Sequence, residues 1–235
     1  MAGKILRHET LHLAGQPRAV ELRTHPKARR LILRLGRDGE SLRVTLPPGI
    51  PAQHGLAFAA RHEAWLQRRL AAVPDRVPFE PDNTIPIRDV PHVIRHRPEA
   101  RRGVWLAEGA LHVSGAAEHV PRRVRDFLIA EARREIVPQA HELAERLGRE
   151  TGRITLRDTR SRWGSCSAKG HLNFCWRLIF APDWVIAYVV AHEVAHLEHL
   201  DHSAAYWRCL RGLTDDVEAP RAWLNTNALR LQRYG

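Results

Sequence analysis

The sequence is short of several residue types, and each shortage closes off a reading. It has three cysteines, Cys166, Cys175 and Cys209. So sparse and odd a set supplies no disulfide framework and suits a reducing compartment. No stretch approaches the roughly 20 consecutive apolar residues that a membrane-spanning helix needs. Near the front, Arg7, His8, Glu9 and His12 interrupt any apolar run of the about 7 to 15 residues that mark a secretion signal. A cytoplasmic protein with no membrane partner is therefore expected. Lysine is confined to Lys4, Lys27 and Lys169, and Met1 is the sole methionine.

Arginine and histidine are what the chain has in quantity. Its formal net charge is +11, with 15 histidines counted as neutral. Of that charge, +7 falls within residues 1–80, +1 within 81–150 and +3 within 151–235. A front-loaded excess leaves two expectations side by side: a nucleic acid or nucleotide engaged through the basic N-terminal region, or a solvated arginine-rich face. The 235 residues, 44% hydrophobic and 27% charged, are enough for one large domain or two small ones with ordinary cores.

Hydropathy patterning predicts an α+β chain. Leu31, Leu33 and Leu35 share one strand face and Leu42, Val44 and Leu46 the next, with residues 36–39 as a hairpin turn. After Pro47 and Pro48, the spacing of Leu56, Ala59, Ala60, Trp65, Leu66 and Leu70 predicts one helix over residues 52–72. A proline-rich connection at 73–81 leads to three or four short strands around Ile85, Val93, Trp105 and Leu111, with Pro86 and Pro91 marking edges. A long amphipathic helix is predicted over 120–147. Its core positions are Val124, Phe127, Leu128, Ala132, Ile136, Leu143 and Leu147, with Pro138 as a kink and Gly148 as the stop. Residues 153–180 read as a hairpin, Ile154 and Leu156 preceding a turn near Lys169 and Gly170, and Leu172, Phe174, Trp176 and Leu178 alternating after it. Pro182 opens a mostly apolar helix to about Leu200, and Ser203 caps another that runs to Gly212. No internal repeat is evident. Three regions result: a basic strand-strand-helix region over 1–80, a short-strand region over 81–118, and a domain over 119–235 that carries the chemistry.

That chemistry sits in residues 192–202, HEVAHLEHLDH. Residues four apart share a helix face, so His192 and His196 can bind one ion while Glu193 borders it without being a ligand. From there Glu193 can take a proton from a metal-activated water as it attacks a carbonyl, and return it to the leaving amine. An HExxH arises by chance fewer than about 0.1 times in a chain of this composition, and one followed six residues later by histidine about 0.004 times. A catalytic zinc needs a third protein ligand and keeps a fourth position open. On a continuing helix His199 would lie about 10 Å along the axis from His192, too far to share an ion. His202, where that helix ends and the next begins, can swing back to it. His199 is then a polar neighbour, and Glu218 is the weaker carboxylate alternative. The plainer reading, two imidazoles satisfied inside a buried helix, leaves costly polar groups without a partner. One Zn2+ per chain is expected. The histidine spacing also matches the metzincins, but their methionine turn is missing here.

These residues, together with RSRWGSCS at 160–167, LNFCWRL at 172–178, Ala181 with Pro182, YVVAHEVAHL at 188–197 and DHSAAYW at 201–207, resemble the YgjP-like metallopeptidases, a family related to the SprT-like zinc proteases. The resemblance spans most of residues 20–233. It implies a zincin-like helical metallopeptidase domain with a β-hairpin packed beside the HExxH helix, zinc held by His192, His196 and His202, and a catalytic Glu193. Cys175 and Asp201 depart from the family, which usually has asparagine at both. Arg162 is expected either to stabilise the oxyanion on a scissile carbonyl or to lock the hairpin onto the helices, and an edge strand there could hold an extended peptide. Cys166 reads as a small buried thiol rather than a ligand. The expected activity is cleavage of a peptide or unfolded protein. Alternatives are a metal-dependent phosphohydrolase acting on nucleotides, a nucleic-acid-associated SprT-like protease, and a basic nucleic-acid-binding module with a structural zinc.

Overall fold

The computed structural model describes residues 4–13, 16–36, 41–71 and 73–235. Among them are eleven strands and six α-helices, an α+β architecture. The chain divides into two compact units, Met1–Asp75 and Arg76–Gly235.

In the first unit β1 (Lys4–Leu13), β2 (Gln16–Thr24), β3 (Ile32–Leu35) and β4 (Leu42–Leu46) form one sheet in the order β1-β2-β4-β3. The alternation of residues 31–46 does what it predicts: β3 and β4 pair antiparallel with Leu35 opposite Leu42, and Leu42, Val44 and Leu46 are buried. Of the expected hairpin turn at 36–39, residues 37–39 lie outside the described residues. The expected single helix over 52–72 is two, α1 (Ala52–Arg61) and α2 (Glu63–Ala71). His62 breaks it, leaving helical geometry at φ −101°, ψ 20° with its ring nitrogen 2.8 Å from the Phe58 carbonyl oxygen.

The second unit opens with β5 (Thr84–Ile87), β6 (Val90–Arg97), β7 (Val104–Ala107) and β8 (Ala110–Ser114) in the order β5-β6-β8-β7. Pro86 does mark an edge strand. Pro91 instead stands on the interior strand β6, opposite Pro86, but β8 pairs with β6 only from Val93 onward, so no ladder donor is lost there. Behind this sheet runs α3 (Val120–Arg146), whose Val124, Leu128, Ala132, Ile136 and Ala140 are fully buried at four-residue spacing. Gly148, at φ +67°, ends it by donating to the Glu145 carbonyl at 2.8 Å.

A third, small sheet has β9 (Ile154–Arg157), β10 (Gly164–Cys166) and β11 (Leu172–Cys175) in the order β10-β11-β9. This corrects the expected hairpin. Ile154 and Leu156 lie on β9, which runs parallel to β11, and the hairpin partner is β10. Its turn closes through Gly170 at φ +71°, whose N–H donates to the Ser167 carbonyl at 2.9 Å. Trp176 and Leu178 do not extend β11 either. Residues Trp176–Phe180 coil into a 3-10 turn that is wholly buried, so its apolar residues need no alternation.

Three helices complete the unit: α4 (Asp183–Ala195), α5 (Ala204–Leu213) and α6 (Glu218–Leu231). The last was not foreseen. Pro220, Leu224 and Leu231 bury one narrow stripe, and Asp216 Oδ1 accepts from the N–H groups of Glu218 and Ala219 at its start. A single apolar core joins the β5–β8 sheet, α3, the β9–β11 sheet and the last three helices. No helix of the described residues is long and apolar enough to cross a membrane.

Candidate metal centre

α4 carries the motif. Val185, Ile186, Val189, Val190, Val194 and Ala195 are buried around most of its circumference, so the polar His192 and Glu193 face a site inside the protein rather than solvent. The helix stops sooner than expected: Ala195 is its last residue and His196 its C-cap, at φ −70°, ψ −10°. Residues 196–203 form a turn instead of the anticipated helical extension to Leu200. This early stop brings the third histidine back. Ring centroids of His192 and His202 are 5.3 Å apart, those of His196 and His202 4.8 Å and those of His192 and His196 5.2 Å.

Each histidine offers a ring nitrogen, and these atoms lie within 4.8 Å of one another. The Nε2 atoms of His192 and His202 are 3.4 Å apart. Two of the opposite ring nitrogens are engaged elsewhere. His196 Nδ1 is 2.8 Å from the His199 carbonyl oxygen, and His192 Nδ1 is 3.5 Å from the Tyr188 hydroxyl. Such outer partners fix ring orientation and leave the inner nitrogen as a lone-pair donor. Burial, reinforced by the neighbouring imidazoles, pushes His192 down to about 4, and burial also lowers His196. Both are therefore neutral at pH 7, the form that binds metal. Three imidazoles with no carboxylate among them fit a borderline-soft cation such as zinc.

Around the trio the fold is tightly specified. Tyr206, fully buried on α5, donates its hydroxyl proton to the His192 carbonyl at 3.1 Å and stacks on the His196 ring at 4.6 Å. Ser203 caps α5 by accepting the Tyr206 N–H, and Asp201 Oδ1 accepts the Ser203 N–H at 3.2 Å. An asparagine oxygen could accept that same bond, so Asp201 leaves the turn before α5 intact. Cys175, the other departure, is buried and donates its thiol proton to the Thr159 carbonyl. Arg149 at the end of α3 clasps Glu198 through two bonds of 2.6 and 2.9 Å and tethers the 196–203 turn.

Glu193 is 5% exposed, and burial pushes its carboxyl up to about 8, with the Arg162 guanidinium acting in the opposite direction. Arg162 itself is exposed, just ahead of β10, and its carbonyl accepts the Thr159 hydroxyl at 2.8 Å. The structure thus gathers His192, His196 and His202, sets Glu193 beside them and leaves Arg162 within electrostatic reach. His199 contributes its carbonyl. Glu218 pairs with Arg221 at 3.1 Å and is not in the cluster. Burial and the Glu193 charge push the Cys166 thiol up to about 11, and Cys166 is not among the residues gathered in the cluster. The sequence reading missed Tyr188, although its position one helical turn before His192 was visible, and the close fit of Gly164 against Glu193.

The family described as YgjP-like, metallopeptidase domain, matches residues 29–227. No curated protein matches the chain. Among solved structures, the chain is similar to the crystal structure of the metallopeptidase zymogen of Pyrococcus abyssi abylysin. That likeness has 19% sequence identity and a TM-score of 0.36, covering 42% of this chain and 97% of that one.

Proposed function

The chain belongs to the family of YgjP-like metallopeptidases, and from that premise we propose that it hydrolyses peptide bonds with a zinc ion held by His192, His196 and His202 and with Glu193 as general base. The observation that carries the reading is the convergence of three imidazole nitrogens within 4.8 Å at the end of a helix that also presents a buried carboxyl. Zinc bound there supplies Lewis acidity, polarising a carbonyl and making a water more acidic. The rest falls to the protein. Burial makes Glu193 more basic than an exposed carboxylate, while the positive charge of Arg162 favours its ionised form. Glu193 takes a proton from the attacking water and hands it to the leaving nitrogen. Arg162, outside that proton path, opposes the negative charge that grows on the carbonyl oxygen. β10 stands at the edge of its sheet, where an extended peptide can add as a further strand, which favours unfolded proteins or flexible segments as substrates.

Purified protein should carry about one zinc per chain by elemental mass spectrometry and cleave an unfolded protein in a chelator-sensitive way. Glu193→Gln should keep the zinc and lose turnover by at least about 100-fold. Unchanged turnover in that variant would remove the mechanism. Hydrolysis of nucleoside triphosphates in place of peptides, abolished by the same substitution, would transfer the site to phosphate chemistry.

A further inference from the structure

The RWGSC segment is explained by neither zinc binding nor proton transfer, yet it lies against the base. A Cβ built on Gly164 would stand 2.5 Å from Glu193 Cγ, 2.5 Å from Oε1 and 2.7 Å from Cδ. Non-bonded carbon atoms do not approach so closely; their best separation is about 3.5 to 4.0 Å. The backbone of Gly164 is not in the left-handed region, so the demand for glycine here is one of space alone. Neither wall can retreat. β10 is held to β11 through the Gly164–Phe174, Ser165–Asn173 and Cys166–Leu172 pairs and by the Cys175 N–H donating to the Trp163 carbonyl at 2.8 Å, and Phe174 and Leu172 are fully buried. On the other side Val190 and Val194 lock α4 into the core.

We infer that Gly164 is the positioning residue for Glu193: the bare backbone of β10 is the surface that sets where the catalytic carboxyl rests. This rests on the reading of Glu193 as general base. A methyl group at 164 displaces the glutamate side chain, which has three rotatable bonds, before it displaces strand or helix. Catalysis is therefore lost while fold and metal site remain. Alanine at 193, which lacks the Cγ, Cδ and Oε1 atoms, leaves room for that methyl.

The experiment is a double-mutant cycle with Gly164→Ala and Glu193→Ala, read by melting temperature and zinc affinity, with turnover of an unfolded protein measured for the single variant Gly164→Ala. Wild type and Glu193→Gln come first: no chelator-sensitive cleavage, or full activity in Glu193→Gln, defeats the general-base reading itself. With that reading intact, Gly164→Ala should lower kcat by about 100-fold, the loss that misplacing a reacting group by about 1 Å brings, at unchanged zinc affinity. In the Glu193→Ala background Gly164→Ala should leave the melting temperature within about 1 °C, whereas beside the intact glutamate it should lower it by at least about 2 °C, the two sites being coupled. Equal changes of melting temperature in both backgrounds, or full activity of Gly164→Ala, overturn the inference. A crystal structure of metal-free Gly164→Ala should show the glutamate carboxyl moved and β10 in place, and the reverse overturns it. Should Gly164→Ala fail to fold, the double variant with Glu193→Ala must fold, because the clash is with atoms that alanine at 193 lacks. Its failure to do so also overturns the proposal.

Discussion

Arg162 is the residue whose role most needs separating from its surroundings. Its guanidinium is exposed, yet its charge opposes the upward shift of the buried Glu193 carboxyl, so it lies close enough to the reacting centre to act on charge there. An arginine that merely locked the loop ahead of β10 would show itself in stability, whereas one facing a developing oxyanion would show itself in kcat. Arg162→Gln is expected to keep zinc content and melting temperature and to lower kcat by about 100-fold, the usual loss on removing one oxyanion partner. Assays of turnover and thermal unfolding on one preparation decide it: a drop in melting temperature with turnover intact would assign the loop-locking role instead. At this scale much was legible in the sequence. The spacing of His192, Glu193, His196 and His202 is local information, since a helix face and a helix end fix it. Gly164 was not legible as a contact of Glu193, because what it touches lies 29 positions away and nothing in a glycine names its neighbour.

Elements were read well where their signal is local and poorly where it depends on pairing. Gly148 at the end of α3 and Ser203 at the start of α5 act as their types predict. In the 153–180 segment the apolar alternation lies on β9 (ITLR), whereas β10 is only GSC and carries no such signal, so the sequence points to β9 as the strand that turns back antiparallel although β10 is. α4 is shorter than the sequence predicts because residues 196–200, HLEHL, contain no helix breaker; tertiary geometry, the return of His202, ends it at Ala195. The cap of α5 is thus part of the metal site's scaffold. Ser203 follows His202 directly, and its hydroxyl holds the Tyr206 N–H at 3.4 Å while the Tyr206 hydroxyl reaches the His192 carbonyl. Ser203→Ala is expected to destabilise the metal-free protein by about 1 kcal/mol, a melting-temperature drop of about 2 to 4 °C, and to speed zinc release. Calorimetry and a chelator-competition stopped-flow measurement read the two effects. A variant that melts and releases zinc as wild type does would show that the cap has no part in holding His202.

At the scale of the whole chain, the sequence concealed a symmetry. The β1–β4 and β5–β8 sheets have the same strand order, with antiparallel outer pairs flanking a parallel pair, β2 with β4 and β6 with β8. In each, helix follows the fourth strand. No repeat was evident in the residues because a strand pair asks only for alternation, which many sequences supply. The two sheets nevertheless belong to separate cores. Val20, Leu22, Val44, Leu46, Ala59 and Leu66 close the first, whereas the second sheet shares its core with α3 and the helices of the metal site. All three candidate ligands, Glu193, Gly164 and Arg162 fall in the unit Arg76–Gly235. That unit of 160 residues has a length at which a single domain is ordinarily self-sufficient. A chain of residues 76–235 is therefore expected to unfold cooperatively and to bind zinc within about 3-fold of the full-length affinity, since its ligands and their supports are all its own. Circular dichroism melting and zinc competition on the two chains test this. A fragment that stays unfolded, or that folds but binds zinc far more weakly, would show that the first unit supports the metal site. An intact affinity with lost proteolysis would instead assign the front of the chain, where the net charge is concentrated, to handling the substrate.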